Sequence, residues 1–134
     1  MQVEPTVIDY HGTKYWFKGS RLHREDGPAK EFANGYKEWY YNGKLHREDG
    51  PAITAPISYT RPEKGQCGMW YKHGKIHRLD GPAVTLSNGD KEWWINGRPT
   101  GQIFRDEKGR LYEIRKGRWR LVRYNRFMNF LLNW

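Results

Sequence analysis

His23, Arg24 and Asp26 return as His46, Arg47 and Asp49 inside an eight-letter stretch, LHREDGPA, that stands unchanged at 22–29 and 45–52. A near copy, IHRLDGPA, fills 76–83 and brings His77, Arg78 and Asp80. An imidazole, a guanidinium and a carboxylate so close together could move protons, ligate a metal or hold a phosphate. The spacing of the copies chooses among these. A Trp stands seven residues before each His (Trp16, Trp39, Trp70), and another stands sixteen residues after His23 and His77 (Trp39, Trp93). The unit is therefore 23 residues long, and the second unit carries eight more, which places a longer loop in 53–68.

Equivalent positions in successive hairpins of one sheet lie two strands, roughly 9–10 Å, apart. A metal needs nitrogen ligands at about 2.0–2.1 Å from one centre, and an acid–base pair needs hydrogen-bond reach. A column of histidines at the sheet pitch makes neither. No catalytic or metal-ligating residue and no cofactor is therefore expected. Cys67 is the single cysteine; it excludes an internal disulfide and favours a reducing compartment, and although it could pair with a His as a nucleophile, nothing positions the two together.

The elements that would carry this column can be read from the turns. Asn42-Gly43 suits a two-residue type I′ hairpin, which sets Tyr41 opposite Lys44, Tyr40 opposite Leu45 and Trp39 opposite His46. His73-Gly74 does the same for Trp70 and His77, and Gly19-Ser20, as a type II′ turn, for Trp16 and His23. Asn34-Gly35 and Asn88-Gly89 mark the other turn of the unit, with His11-Gly12 as a weaker copy. Residues 7–100 thus read as an antiparallel meander of repeated short hairpins, in an all-β fold. Alternation predicts a core face of Phe17, Tyr40, Tyr71, Trp94, Leu22, Leu45, Ile76, Ala29, Ala52 and Ala83. The opposite face would carry the tryptophans and histidines with Lys14, Lys37 and Lys91.

Two uses of the ladder follow. In the structural one, Asp26, Asp49 and Asp80 hold their own turns, Arg47 meets Glu38 across the strands, and each His packs edge-on to its Trp. In the functional one, Trp16, His23, Arg24, Trp39, His46, Arg47, Trp70, His77, Arg78 and Trp93 form a ligand-binding surface that stacks bases and holds phosphates.

Beyond residue 100 the pattern changes, for Thr100 stands where a fourth His is due. Hairpins are expected at Lys108-Gly109 and Lys116-Gly117, and NRFMNFLLNW spaces Phe127, Phe130, Leu131 and Trp134 as a short helix that caps a sheet edge or face. Arg115, Lys116, Arg118, Arg120 and Arg123, interleaved with Trp119 and Tyr124, form a basic patch with the composition of a nucleic-acid-binding hairpin, or of a solvated edge strand. Charge agrees with the former: the chain carries +9, of which residues 1–100 hold 15 − 12 = +3 and residues 101–134 hold 9 − 3 = +6. Residues 1–100 and 101–134 are expected to form one compact domain. With a mean hydropathy of −1.02 and no apolar run, neither leader nor membrane span is expected.

The run WYYNGKLHREDGPA…NGDKEWWING resembles the HRxDGPA-type repeats of small proteins from tailed phages and large DNA viruses, themselves similar to MORN-type β-hairpin repeats. The resemblance covers roughly residues 10–100; the eight-residue insertion and the missing fourth His depart from it. It implies a MORN-like single sheet, a viral origin and the host cytoplasm, and it says little about activity. The expectation is a non-enzymatic phage accessory protein with a counter-defence role, sequestering an anionic ligand, either a signalling nucleotide or nucleic acid. The alternatives are an inhibitor that binds a host defence protein through the Trp-rich face and the 53–68 loop, and, third, a nuclease-type enzyme. A sheet with two faces and open edges also suits a homodimer.

Overall fold

A computed structural model describes residues 4–56 and 67–122. Every element among them is a strand, and all pairings are antiparallel. The repeat region opens with β1 (Val7–Ile8), β2 (Lys14–Tyr15), β3 (Phe17–Lys18), β4 (Arg21–Leu22), β5 (Lys30–Glu31) and β6 (Lys37–Glu38). It continues through β7 (Tyr40–Tyr41), β8 (Lys44–Leu45), β9 (Ile53–Thr54), β10 (Gly68–Met69), β11 (Tyr71–Lys72), β12 (Lys75–Ile76) and β13 (Val84–Thr85). The longer strands follow: β14 (Lys91–Ile95), β15 (Arg98–Thr100), β16 (Gln102–Arg105), β17 (Leu111–Arg115) and β18 (Arg118–Leu121). The helix expected at the C-terminus and most of the 53–68 loop lie outside the described residues.

The meander is a nine-stranded sheet in the order β1-β2-β5-β6-β9-β10-β13-β14-β15. Every strand pair of this sheet but the last is only two residues long, because the chain changes partner at each Trp; β14–β15 pairs three. Trp16 N–H donates to the Ala29 carbonyl, in the ladder of the nine-stranded sheet, while its own carbonyl accepts from His23 N–H across the next hairpin. Trp39 (with Ala52 and His46) and Trp70 (with Ala83 and His77) repeat the hand-over. The hairpins β3–β4, β7–β8 and β11–β12 therefore form a second column, beside the sheet. Backbone bonds join them in series, Gly43 N–H to the Leu22 carbonyl, Gly74 to Leu45 and Gly97 to Ile76, each 2.8 Å.

Turn chemistry fixes this register. Asn42 and Gly43 both take positive φ, 48° and 80°, as a type I′ turn requires. At the other end of the unit, Phe32 N–H bonds the Tyr36 carbonyl around Asn34-Gly35, and Asn34 Oδ1 accepts from Tyr36 N–H. The pairings Tyr40↔Leu45 and Tyr71↔Ile76 are those the sequence predicts.

Burial departs from simple alternation. Ala29, Ala52 and Ala83 are fully buried, and so, nearly, are Trp16, His23, His77 and Val84. Phe17, placed on the expected core face, is exposed. Alternation holds only along an unbroken strand, and the hand-over at each Trp breaks it. The Trp–His column is buried at Trp16, His23 and His77 and half-buried at Trp39, His46, Trp70 and Trp93.

The repeat ends at the β14–β15 hairpin, where Trp93 pairs with Thr100. Gly101 then occupies the position of the repeat's Arg, and its N–H donates to the Glu113 carboxylate at 2.6 Å. A Cβ at Gly101 would overlap the Ile114 carbonyl. This close approach, with the 3.1 Å bond from Arg115 to the Pro99 carbonyl, docks the sheet β16–β17–β18 onto the last unit.

Candidate functional site

The repeated arginine is held on four sides. The Arg24, Arg47 and Arg78 guanidinium groups lie 4.1, 3.9 and 4.0 Å from the ring centroids of Trp16, Trp39 and Trp70. Each Nε donates to the aspartate two residues on, at 2.7, 3.1 and 3.0 Å for Asp26, Asp49 and Asp80. Each NH1 donates to the proline carbonyl of the same turn, at 3.2, 3.1 and 3.1 Å for Pro28, Pro51 and Pro82. The glycine before that proline closes the fourth side: a Cβ at Gly27, Gly50 or Gly81 would come within 2.9, 2.8 and 2.8 Å of the guanidinium carbon. A planar fork stacked on an indole and bonded along its edge is what arginine, not lysine, can fill. Arg47 therefore meets Asp49 in its own turn, in place of the expected Glu38, whose carboxylate accepts from the Tyr40 hydroxyl.

The histidines are engaged too. His23 Nδ1 accepts the backbone N–H of Asn42 at 3.0 Å, His46 that of His73 at 3.0 Å, and His77 that of Asn96 at 3.1 Å. Each acceptor nitrogen must be unprotonated, so the ring proton sits on Nε2. From there it faces a carboxylate in the first two units, His46 to Glu48 at 2.9 Å and His23 to Glu25 at 3.5 Å. The third unit has Leu79 in that place. Burial pushes His46 below the usual histidine range, with Glu48 opposing the shift. Burial and then Lys72 push His77 down to about 4. His73, stacked against His46 with ring centroids 4.2 Å apart, is lowered first by burial and then by His46 itself. Tyr41 also packs against His23, with ring centroids 4.6 Å apart.

Carboxylates stand outermost along the ladder. Glu25, Glu48, Asp49 and Asp80 side chains are 61–86 % exposed. A groove of about 880 Å³ between the first two units is lined by Trp39, Tyr41 and His46 with Arg24 and Arg47, and edged by Glu25, Asp26, Glu48 and Asp49. The ten residues read as an anion-binding surface are thus brought together, but with their cationic groups turned to internal partners. Among the described residues no three of His, Cys, Asp or Glu are placed to hold a metal, and Cys67 is buried.

The basic patch fares differently. Arg115 and Arg118 pair across the Lys116–Gly117 turn, and Glu113 pairs with Arg120. Arg115 bonds Glu113 and the Pro99 carbonyl. Lys116, Arg118 and Arg120 are exposed and make no ion pair among the described residues. Arg123 and Tyr124 lie outside them. Register places Phe104, Tyr112, Ile114, Trp119 and Leu121 on one face of this sheet, while Ile103 and Leu111 are buried on the other. Trp119 is 64 % exposed; its centroid lies 5.5 Å from that of Phe104 and 6.3 Å from that of Tyr112. Sequence reasoning missed Phe104 and Tyr112, although carrying the two Lys-Gly turns through to a register would have found them.

Compared with protein families, with curated proteins and with solved structures, the chain matches none. No helix among the described residues is long and apolar enough to cross a membrane.

Proposed function

We propose that the protein is a non-enzymatic binding protein that sequesters an anionic ligand on the sheet β16–β17–β18. The observation that carries this reading is the presence, on one small sheet, of cations that make no ion pair among the described residues, Lys116, Arg118 and Arg120, together with the exposed rings of Phe104 and Trp119 and the half-buried Tyr112 beside them. Cations draw in phosphates and open rings accept bases. The repeat is then the scaffold that presents this sheet, and the ladder is not itself the binding surface. The phage origin, the counter-defence role and the host cytoplasm implied by the resemblance belong to the same proposal.

Replacing Lys116, Arg118 and Arg120 together by Gln tests it. Retention on immobilised polyanion should be lost while the melting temperature stays within a few degrees, since exposed substitutions change stability little. Unchanged retention would refute the reading. The second reading, direct inhibition of a host protein, is favoured by the acid-edged groove beside Trp39 and Tyr41, which suits a basic protein surface. It predicts a single pulled-down partner whose capture is abolished by Glu48→Gln with Asp49→Asn.

A further inference from the structure

We infer that the aromatic face of β16–β18 takes unpaired nucleotides of a single-stranded nucleic acid, bases stacked on Trp119 and its neighbours and phosphates held along the β18 edge. This deepens the anion-binding reading and rests on it.

Geometry distinguishes this ligand from the other polyanions. In a duplex the base faces are covered by stacking, so open rings on the protein gain nothing from them, whereas a single strand offers every base as a π-face. Trp119 presents most of its indole, and two further rings lie beside it, Phe104 at 5.5 Å tilted by 41° and the half-buried Tyr112 at 6.3 Å edge-on at 71°. A cluster of that extent spans more than one base. Among the described residues no enclosing wall rises beside this face to orient a lone nucleotide. β18 is the outer strand of its sheet, so side chains of both parities lie close to the same rim. Trp119 and Leu121 point to the aromatic face, while Arg118 and Arg120 leave from the opposite side of the same strand. A polymer running along β18 can therefore lay bases over the face and phosphates against the rim. Charge argues against a second copy as occupant, because the +6 of residues 101–134 would oppose its own image.

The test uses the full chain and three probes: a fluorescent oligothymidylate of ~20 nucleotides, a duplex of equal length, and inorganic polyphosphate. The single strand should bind at least about tenfold more tightly than the duplex. Trp119→Ala should weaken the single strand by about 5- to 150-fold, the range of one to three kcal/mol per stacked base, and leave polyphosphate unaffected. Trp119→Tyr should restore most of the binding. Equal binding of single strand and duplex, with no effect of Trp119→Ala, overturns the stacking inference and leaves the anion reading standing. Failure of all three probes to bind overturns both. If Trp119→Ala lowers the melting temperature by many degrees and leaves binding untouched, the ring is covered by the chain's own residues, 123–134 being the nearest in sequence, and the inference falls.

Discussion

At the scale of single residues, the same arginine that looks like a ligand-binding group is the most internally committed side chain in the unit. Arg47→Ala removes a cation–π contact with Trp39, the bond to Asp49 and the bond to the Pro51 carbonyl. A loss of roughly 2–3 kcal/mol is expected, visible as a lower denaturation midpoint, and Arg47→Lys should recover little of it because an ammonium cannot reproduce the fork. If Arg47→Ala leaves the midpoint unchanged, the enclosure described above is not a source of stability. The histidines set a pH dependence. Well above pH 6.5 neither folded nor unfolded His77 is protonated; as pH falls through 6.5 towards about 4 the unfolded chain takes the proton and the folded one resists it. Stability should therefore fall as pH falls through that window, by on the order of 2 kcal/mol at His77 after allowance for solvent screening. His46 and His73, also lowered, add to the decline. In His77→Asn the amide oxygen can accept from Asn96 N–H without titrating, so its melting temperature should be flatter between pH 6.5 and 4. A parallel decline in both proteins would show that His77 is not responsible.

At the scale of elements, the sequence makes the hairpins legible and hides how they join. Asn42-Gly43 and His73-Gly74 fix their registers through turn chemistry alone, and the predicted pairings are the observed ones. The faces are misassigned because alternation assumes a strand that continues past Trp16, where in fact the ladder partner changes. Nor could spacing foresee that each His would accept from the turn of the following unit, since that bond joins residues 19 or 27 apart. The glycine of each Asp-Gly-Pro turn did carry a signal: a residue invariant in three copies without a positive φ points to a close neighbour, and the neighbour is the arginine. Gly101 is the element-scale counterpart, where β17 crosses against the end of the repeat. Gly101→Ala should cost about 1–3 kcal/mol by overpacking and loosen the sheet β16–β18, reported by faster amide exchange in 102–121 with 30–52 unchanged. Uniform exchange across both regions would mean that the two parts do not separate.

At the scale of the whole molecule, charge is uneven: residues 1–100 hold +3 and residues 101–134 hold +6, and Lys116, Arg118 and Arg120 on the last sheet make no ion pair among the described residues. Three such cations imply that the logarithm of single-strand affinity falls with the logarithm of salt at a slope near −2, and that each neutralised cation makes it shallower by about 0.7. A slope near zero in a salt titration would exclude phosphate contacts at these positions. The serial bonds between hairpins have another consequence. Each unit offers its successor an accepting imidazole and a carbonyl, and receives the same from its predecessor, so the joints are interchangeable. An extra copy of residues 30–52, spliced in tandem, would meet matching ends on both sides and lengthen the protein by one 23-residue step. Gene duplication could thus grow or shorten this molecule in whole increments without redesigning a single contact, while the Thr100-Gly101 terminus travels intact at the end.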